Sequence, residues 1–201
     1  MAICLAVSAI NVYDTYITWA LESFPVWIAL VLLSVTMKRF RLTNMLYVII
    51  LIHALVLVLG AHYSYTDVPL GFWLRDLFGG KRNNYDKIGH FMQGFCPAMC
   101  AREIVSRLSP LKKGGFLAIF SWCVAMTVSA LYEIFEMIVS LILHGSAHAF
   151  LGAQGFIWDT QTDMLMCLVG ATVALLLLSK LHDHQLSKIV EKEEEENFTL
   201  P

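Results

Sequence analysis

The chain has 201 residues, 58% of them hydrophobic and 15% charged, with a net charge of −2. Its mean hydropathy of +0.65 is too high for an ordinary soluble domain, and the lack of a basic surplus excludes nucleic acid as a partner. No polar stretch is long enough to fold alone. The expected organisation is therefore one all-α transmembrane domain over residues 1–181, followed by a polar, acidic tail over residues 182–201.

Residues 2–10 are apolar but too few to cross a bilayer, which takes about 20. No basic cluster precedes them, so they do not read as a signal peptide. They are expected to form a partial helix, either half-inserted or begun upstream of Met1, and interrupted by Asn11 and Asp14. Residues 17–37 form the first full span, with Glu22 and Pro25 near its start and Lys38, Arg39 and Arg41 directly after it. Residues 45–62 form the second, carrying His53. The connection over residues 63–85 is rich in aromatics, Trp73 among them, that suit a membrane interface. A less apolar span over residues 86–108 ends in Arg102 and Arg107, with Lys112 and Lys113 beyond. Residues 116–143 form the fourth span. A glycine- and histidine-rich loop over residues 144–159 follows, in which His144 and His148 stand four apart. The last span covers residues 162–181. Beyond it, the charge run around Glu193 is expected to be solvated and disordered. The count is about five full spans plus the partial N-terminal helix. The five cysteines lie mostly in apolar runs and do not suggest a disulfide framework.

Basic residues mark cytoplasmic loops. Placing the Lys38–Arg39–Arg41 and Arg102–Lys113 connections inside puts the C-terminus inside too. Helix arithmetic at 1.5 Å per residue then brings Glu22, Asp86, His90, Glu133, Glu136, Asp159 and Asp163 to the outer side. Asp86 and His90 are four apart, as are Asp159 and Asp163, and Glu133 and Glu136 are three apart; each pair shares a helix face. Gln93 and Pro97 continue the Asp86 face, and Ser129 and Ser140 the glutamate face. A carboxylate at membrane depth costs roughly 2.5–3.5 kcal/mol on insertion scales, so the paired polar faces are expected to look at protein, water or an ion. Few polar groups are expected on the inner half.

One histidine among several carboxylates suits a hard or borderline divalent ion, with His90, Glu133, Glu136 and Asp163 as its expected ligands. Such an ion would make a nucleophile of bound water. Without it, the crowded carboxylates could divide acid and base roles. Each feature also has a plainer reading. Asp86 and Asp159 can serve as helix N-caps, His90 as a packing residue, and Glu133 and Glu136 as structural hydrogen-bond partners. His53 reads as a helix–helix contact, and Cys96 and Cys100 as small packing residues. Gly60, Gly89, Gly94 and Gly170 permit close helix approach.

The stretches Asn84-Tyr85-Asp86-Lys87-Ile88-Gly89-His90-Phe91, Ser129-Ala130-Leu131-Tyr132-Glu133-Ile134-Phe135-Glu136 and Gly152-Ala153-Gln154-Gly155-Phe156-Ile157-Trp158-Asp159-Thr160-Gln161-Thr162-Asp163-Met164 resemble the YjdF-type bacterial inner-membrane proteins. So does Val68-Pro69-Leu70-Gly71-Phe72-Trp73. The likeness covers residues 19–186. Phe156 stands where that family usually has an aspartate. More distantly, the arrangement is similar to VanZ-like proteins. The resemblance implies a multi-pass inner-membrane protein and implies no reaction. From the residues themselves, the leading functional expectation is a membrane-embedded, metal-dependent or acid–base enzyme. Its site of Asp86, His90, Glu133, Glu136, Asp159 and Asp163 would act on a lipid-linked or envelope substrate from the outer side, among membrane lipids. The alternatives are a proton- or ion-coupled carrier and a non-catalytic membrane protein with an internal ionic lock.

Overall fold

A computed structural model describes the backbone of residues 1–142 and 154–199, and the side chains of these as far as Glu191. The elements are α1 (Ala2–Ser8), α2 (Tyr16–Thr36), α3 (Asn44–Tyr63), α4 (Pro69–Phe78), α5 (Tyr85–Leu108), α6 (Gly115–Ile142) and α7 (Asp159–Thr199). No strand occurs among the described residues, and the all-α expectation holds. His144 and His148 lie outside the described residues.

The partial N-terminal helix is α1, seven residues long. Three residues beyond its end, Asn11 takes a φ of 53°, a left-handed conformation that asparagine tolerates better than most residues. The short helix is tied down by Trp19 Nε1, which donates to Ser8 Oγ at 3.0 Å, and by His62 Nδ1, 3.0 Å from the Ser8 carbonyl. Thr15 caps α2 by accepting the Thr18 amide at 3.1 Å, as an N-cap hydroxyl does.

Among the described residues, four helices are long and apolar enough to cross a membrane: α2, α3, α6 and the Asp159–Glu191 part of α7. The fifth expected span, α5, has the length, at 24 residues, but not the composition. The packing gives the reason. Helices α3, α6 and α7 surround α5, so its side chains meet protein where those of the other helices meet lipid. It can therefore bury His90, Gln93, Arg102 and Glu103 while the apolar residues go to the enclosing helices, as membrane interiors require. Helix α5 packs most extensively against α7. A Cβ on Gly94 would overlap the Cys167 carbonyl, and one on Gly170 would overlap the Phe91 carbonyl. The two glycines let the backbones touch reciprocally.

Two expectations change at the far end of α5. The last helix does not stop near Leu181; α7 runs on to Thr199, through the segment expected to be a disordered tail. Its continuation is docked, with His182 and Leu186 buried and Gln185 Oε1 accepting the Met45 amide at 3.0 Å. The second change is a buried polar network on the half expected to hold few polar groups. Glu103, wholly buried, accepts the Thr43 amide at 2.9 Å and its hydroxyl at 2.7 Å. It thereby caps α3 from another helix. His182 Nε2 lies 3.0 Å from Glu103 Oε2, and Arg107 Nη1 lies 3.3 Å from Oε1. Arg102 reaches both His182 Nδ1 and Asp183, the latter at 2.8 Å. Since arginine can only donate, Nδ1 accepts and Nε2 carries the proton that goes to Glu103.

Every oxygen of Glu103 is thus satisfied, and the network clamps α3, α5 and α7 together. Replacing one member of a buried ionic network strands the others, at a cost of about 3–5 kcal/mol. Glu103→Ala should therefore lower the thermal midpoint in detergent sharply. Asp183→Asn, at the half-buried edge, should cost about 1 kcal/mol or less. Equal midpoints for the two variants would contradict the clamp.

Candidate functional site

The other polar centre forms where α5 begins. Asn83 sets that start: its Oδ1 accepts the Tyr85 amide at 3.0 Å and its Nδ2 donates to the Val68 carbonyl at 3.0 Å. Tyr85 then buries its ring and donates to the Val56 carbonyl at 2.9 Å. Asp86 and His90 follow one turn apart, facing the first turn of α7.

His90 Nε2 lies 3.2 Å from Asp86 Oδ1 and 3.7 Å from Asp163 Oδ1. Ligand atoms of Asp86, His90 and Asp163 all lie within 4.8 Å of one another. On the other edge of the ring, Nδ1 is 2.9 Å from Gln93 Oε1 and 3.7 Å from Glu133 Oε1. A Gln amide can present its oxygen or its nitrogen, so Gln93 can partner Nδ1 with or without a proton on it. The spacing of Asp86, His90 and Gln93 along one helix face is what brings all three to this ring.

Lys87 sits among the aspartates. Its Nζ is 2.5 Å from Asp163 Oδ1, 2.8 Å from Asp159 Oδ1 and 3.5 Å from Asp86 Oδ2. Arg82 adds a second cation, 2.7 Å from Asp159 Oδ1, and lies over the Phe156 ring, 4.8 Å from its centroid. The aromatic at position 156 therefore holds the guanidinium by a cation–π contact. Lysine one residue from Asp86 gave no helical-face signal in the sequence, and Arg82 lies ahead of the helix, where helical spacing says nothing.

Of the six residues singled out by sequence, Asp86, His90 and Asp163 come together. Asp159 joins them through the shared Lys87, and Glu133 faces the opposite edge of the imidazole. Glu136 is half-buried one turn further on, where it lines two cavities. The Nε2-side cluster therefore contains two of the four expected metal ligands, His90 and Asp163, with Asp86 as its third member. Glu133 and Glu136 stand outside it.

The smaller cavity, about 330 Å³, is lined by Glu133, Glu136, Ser140, Asp159 and Thr160 among others. The larger, about 560 Å³, runs between α2 and α6 along α5, reaching Asp86, His90, Gln93, Glu22 and His53. Tyr65, in the connection after α3, also lines it. Burial pushes the Tyr65 phenol well up from its ordinary range, so it meets the cavity as a neutral hydrogen-bonding group.

Spans that enclose a polar helix, with a carboxylate–histidine–lysine cluster at one end of it, define a polytopic membrane protein with an intramembrane polar centre. The chain belongs to the family described as "Predicted membrane protein (DUF2238)", which matches residues 1–184. It is 40% identical over 188 residues to the inner membrane protein YjdF of Escherichia coli (strain K12), an alignment covering 94% of this chain and 90% of that protein. It is a multi-pass inner-membrane protein. No solved structure matches it.

Proposed function

We propose that this protein is a membrane-embedded enzyme that acts on a lipid-linked envelope substrate from the outer face, with His90 as its acid–base group. The observation that carries the reading is the triad of Asp86, His90 and Gln93 at the wall of a cavity within the helix bundle. Asp86 holds Nε2–H and fixes the ring, as a carboxylate does for a catalytic histidine. Nδ1 is then the working nitrogen. A substrate hydroxyl or water that displaces the Gln93 amide delivers its proton there, and Gln93 re-seats on the protonated ring through its oxygen. Asp163, held by Lys87, adds negative charge near the imidazolium. The orientation follows from the basic loops: the His90 end faces outward and the C-terminus is cytoplasmic.

A specific observation favours a second version of the chemistry. The ligand atoms of Asp86, His90 and Asp163 are spaced closely enough for one divalent ion. Lys87 Nζ already occupies the cation position beside two of the aspartates, however, and would have to move. A carrier is less well supported. Glu103 lies 17 residues beyond Asp86 on α5, about 25 Å along the axis. Between Gln93 and Arg102 the helix is packed by buried Ala98, Met99, Ala125 and Ala171, and the thiols of Cys96 and Cys100 are the only side-chain donors α5 places there.

The test uses the intact protein in nanodiscs of envelope lipids, with the lipid pool followed by mass spectrometry. Wild type should consume a species that His90→Gln leaves untouched. Asp86→Asn should slow consumption about 10²-fold or more, the usual scale for impaired acid–base work. Identical lipid pools with wild type and His90→Gln would sink the proposal.

A further inference from the structure

The cavity between α2 and α6 has an unusual construction. The two helices meet at the His90 end, where the Phe24 ring lies 4.9 Å from that of Phe135 and stacks on Tyr132 at 6.1 Å, and where Leu21 packs with Val139. Further along they part, and the walls become Ile28, Leu32, Val128 and Leu131, all of them exposed on the outer surface of the bundle. In a bilayer that surface is hydrocarbon, so the cleft opens sideways to lipid. Its volume, about 560 Å³, falls in the range of small-molecule sites, roughly 300–1,000 Å³.

The inner wall is not hydrocarbon-like. Glu22 is 1% exposed, and among the described residues neither of its oxygens makes a well-aligned hydrogen bond; the Tyr65 amide and the Ser64 hydroxyl are the donors beside it. His53 Nε2 is likewise buried without a partner. Both side chains line the cleft, with Asp86 and Glu136. A buried carboxyl without well-aligned hydrogen bonds is costly, and such groups call for an explanation. Pro25 and Pro97 lie in the same wall, inside α2 and α5. Each removes the N–H that the carbonyl four residues earlier, Leu21 or Gln93, would otherwise receive. The cleft thus joins an apolar portal to an inner end rich in acceptors, carboxylates foremost, with no lysine or arginine in its lining.

We propose that the cleft binds one hydrocarbon chain of a membrane lipid whose head is a hydrogen-bond donor without negative charge, a hydroxyl or an amine. The chain lies between α2 and α6, and the head satisfies Glu22 and reaches His90. The inference rests on the enzyme reading above and gives its substrate a class. A phosphate head fits poorly, since three carboxylates face it from the lining.

The test is photocrosslinking of the intact protein in detergent with three diazirine probes of equal chain length: a monoacylglycerol, a long-chain amine and a phosphatidic acid. The monoacylglycerol or the amine should label residues 24–32 and 128–136, and the stronger of the two identifies the head. Phosphatidic acid should label them about tenfold less. Ala29→Trp, which fills the cleft from its lipid side, should lower the labelling by a similar factor. Leu131→Trp does the same from the opposite wall, should the first variant fold poorly. Equal labelling by phosphatidic acid, or labelling unchanged in a folded cleft-filled variant, overturns the proposal. The two readings fail separately. His90-dependent turnover without cleft labelling would reject the lipid site and keep the enzyme. Cleft labelling in a protein that turns nothing over would reject the enzyme and keep the site.

Discussion

Lys87→Met is expected to destabilise the protein by about 3–5 kcal/mol, the range for removing one partner from a buried ionic cluster. Lys87 Nζ lies within 3.5 Å of Asp86, Asp159 and Asp163, all largely buried. Methionine keeps an unbranched, flexible side chain one atom shorter and removes the ammonium. Arg82 would still neutralise Asp159 at 2.7 Å, but Asp86 and Asp163 would be left facing each other across His90. A divalent ion fits the position so vacated, because carboxylate and imidazole donors already surround it. Millimolar Mg²⁺ or Mn²⁺ should therefore raise the thermal midpoint of Lys87→Met in detergent and leave that of wild type nearly unchanged. The contrast is Arg75→Gln. Its pair with Asp76 is exposed, and its loss should move the midpoint by no more than about 0.5 kcal/mol. An unchanged midpoint in Lys87→Met would show that the ammonium does not hold the aspartates. A low midpoint that no ion restores would show that the carboxylate–histidine geometry cannot take a metal.

Lys87 marks the boundary of what the sequence could say. Helical spacing carried Asp86 to His90, Asp159 to Asp163 and Glu133 to Glu136, because i,i+3 and i,i+4 neighbours share a face whatever surrounds them. Positive-charge counting helped to bring the three pairs to one end. Neither spacing nor charge tells which partner faces which. Glu133 and Glu136 looked equivalent by spacing, yet Glu133 lies 3.7 Å from the imidazole while Glu136 lines both cavities. Lys87 was hidden because a lysine at a span's end ordinarily snorkels to the interface; here its ammonium turns inward among the acids. The Glu103 network was hidden differently. Arg102 and Arg107 read as loop charges, and His182 and Asp183 as the start of a free tail. Only the continuation of α7, pinned by Gln185 and Leu186, brings them onto α5. Glu22 was visible as an acid at the end of a span. That it is buried without a well-aligned hydrogen bond depends on the tertiary contacts of α2.

Gly94→Ala should lower the midpoint far more than its single methyl group suggests. The added Cβ would overlap the carbonyl of Cys167 on α7. Backbone cannot swing aside as a side-chain tip can, so α5 and α7 must separate along a stretch that also contains Gly170. Overpacking of this kind costs roughly 1–3 kcal/mol. For a domain of this size that is about 2–12 °C in thermal midpoint. The displacement also bears on the polar centre, because Asp163 lies one turn before Cys167 on α7 and His90 one turn before Gly94 on α5. Wider spacing of the two helices lengthens the 3.7 Å approach of His90 to Asp163 and loosens the contact of Lys87 with both α7 aspartates. His90-dependent lipid turnover should therefore fall in Gly94→Ala even where the variant remains folded. Gly115→Ala provides the control, since nothing lies within 4 Å of a Cβ at that position; it should leave both midpoint and turnover intact. A Gly94→Ala protein as stable and as active as Gly115→Ala would mean that the polar centre does not depend on close α5–α7 contact.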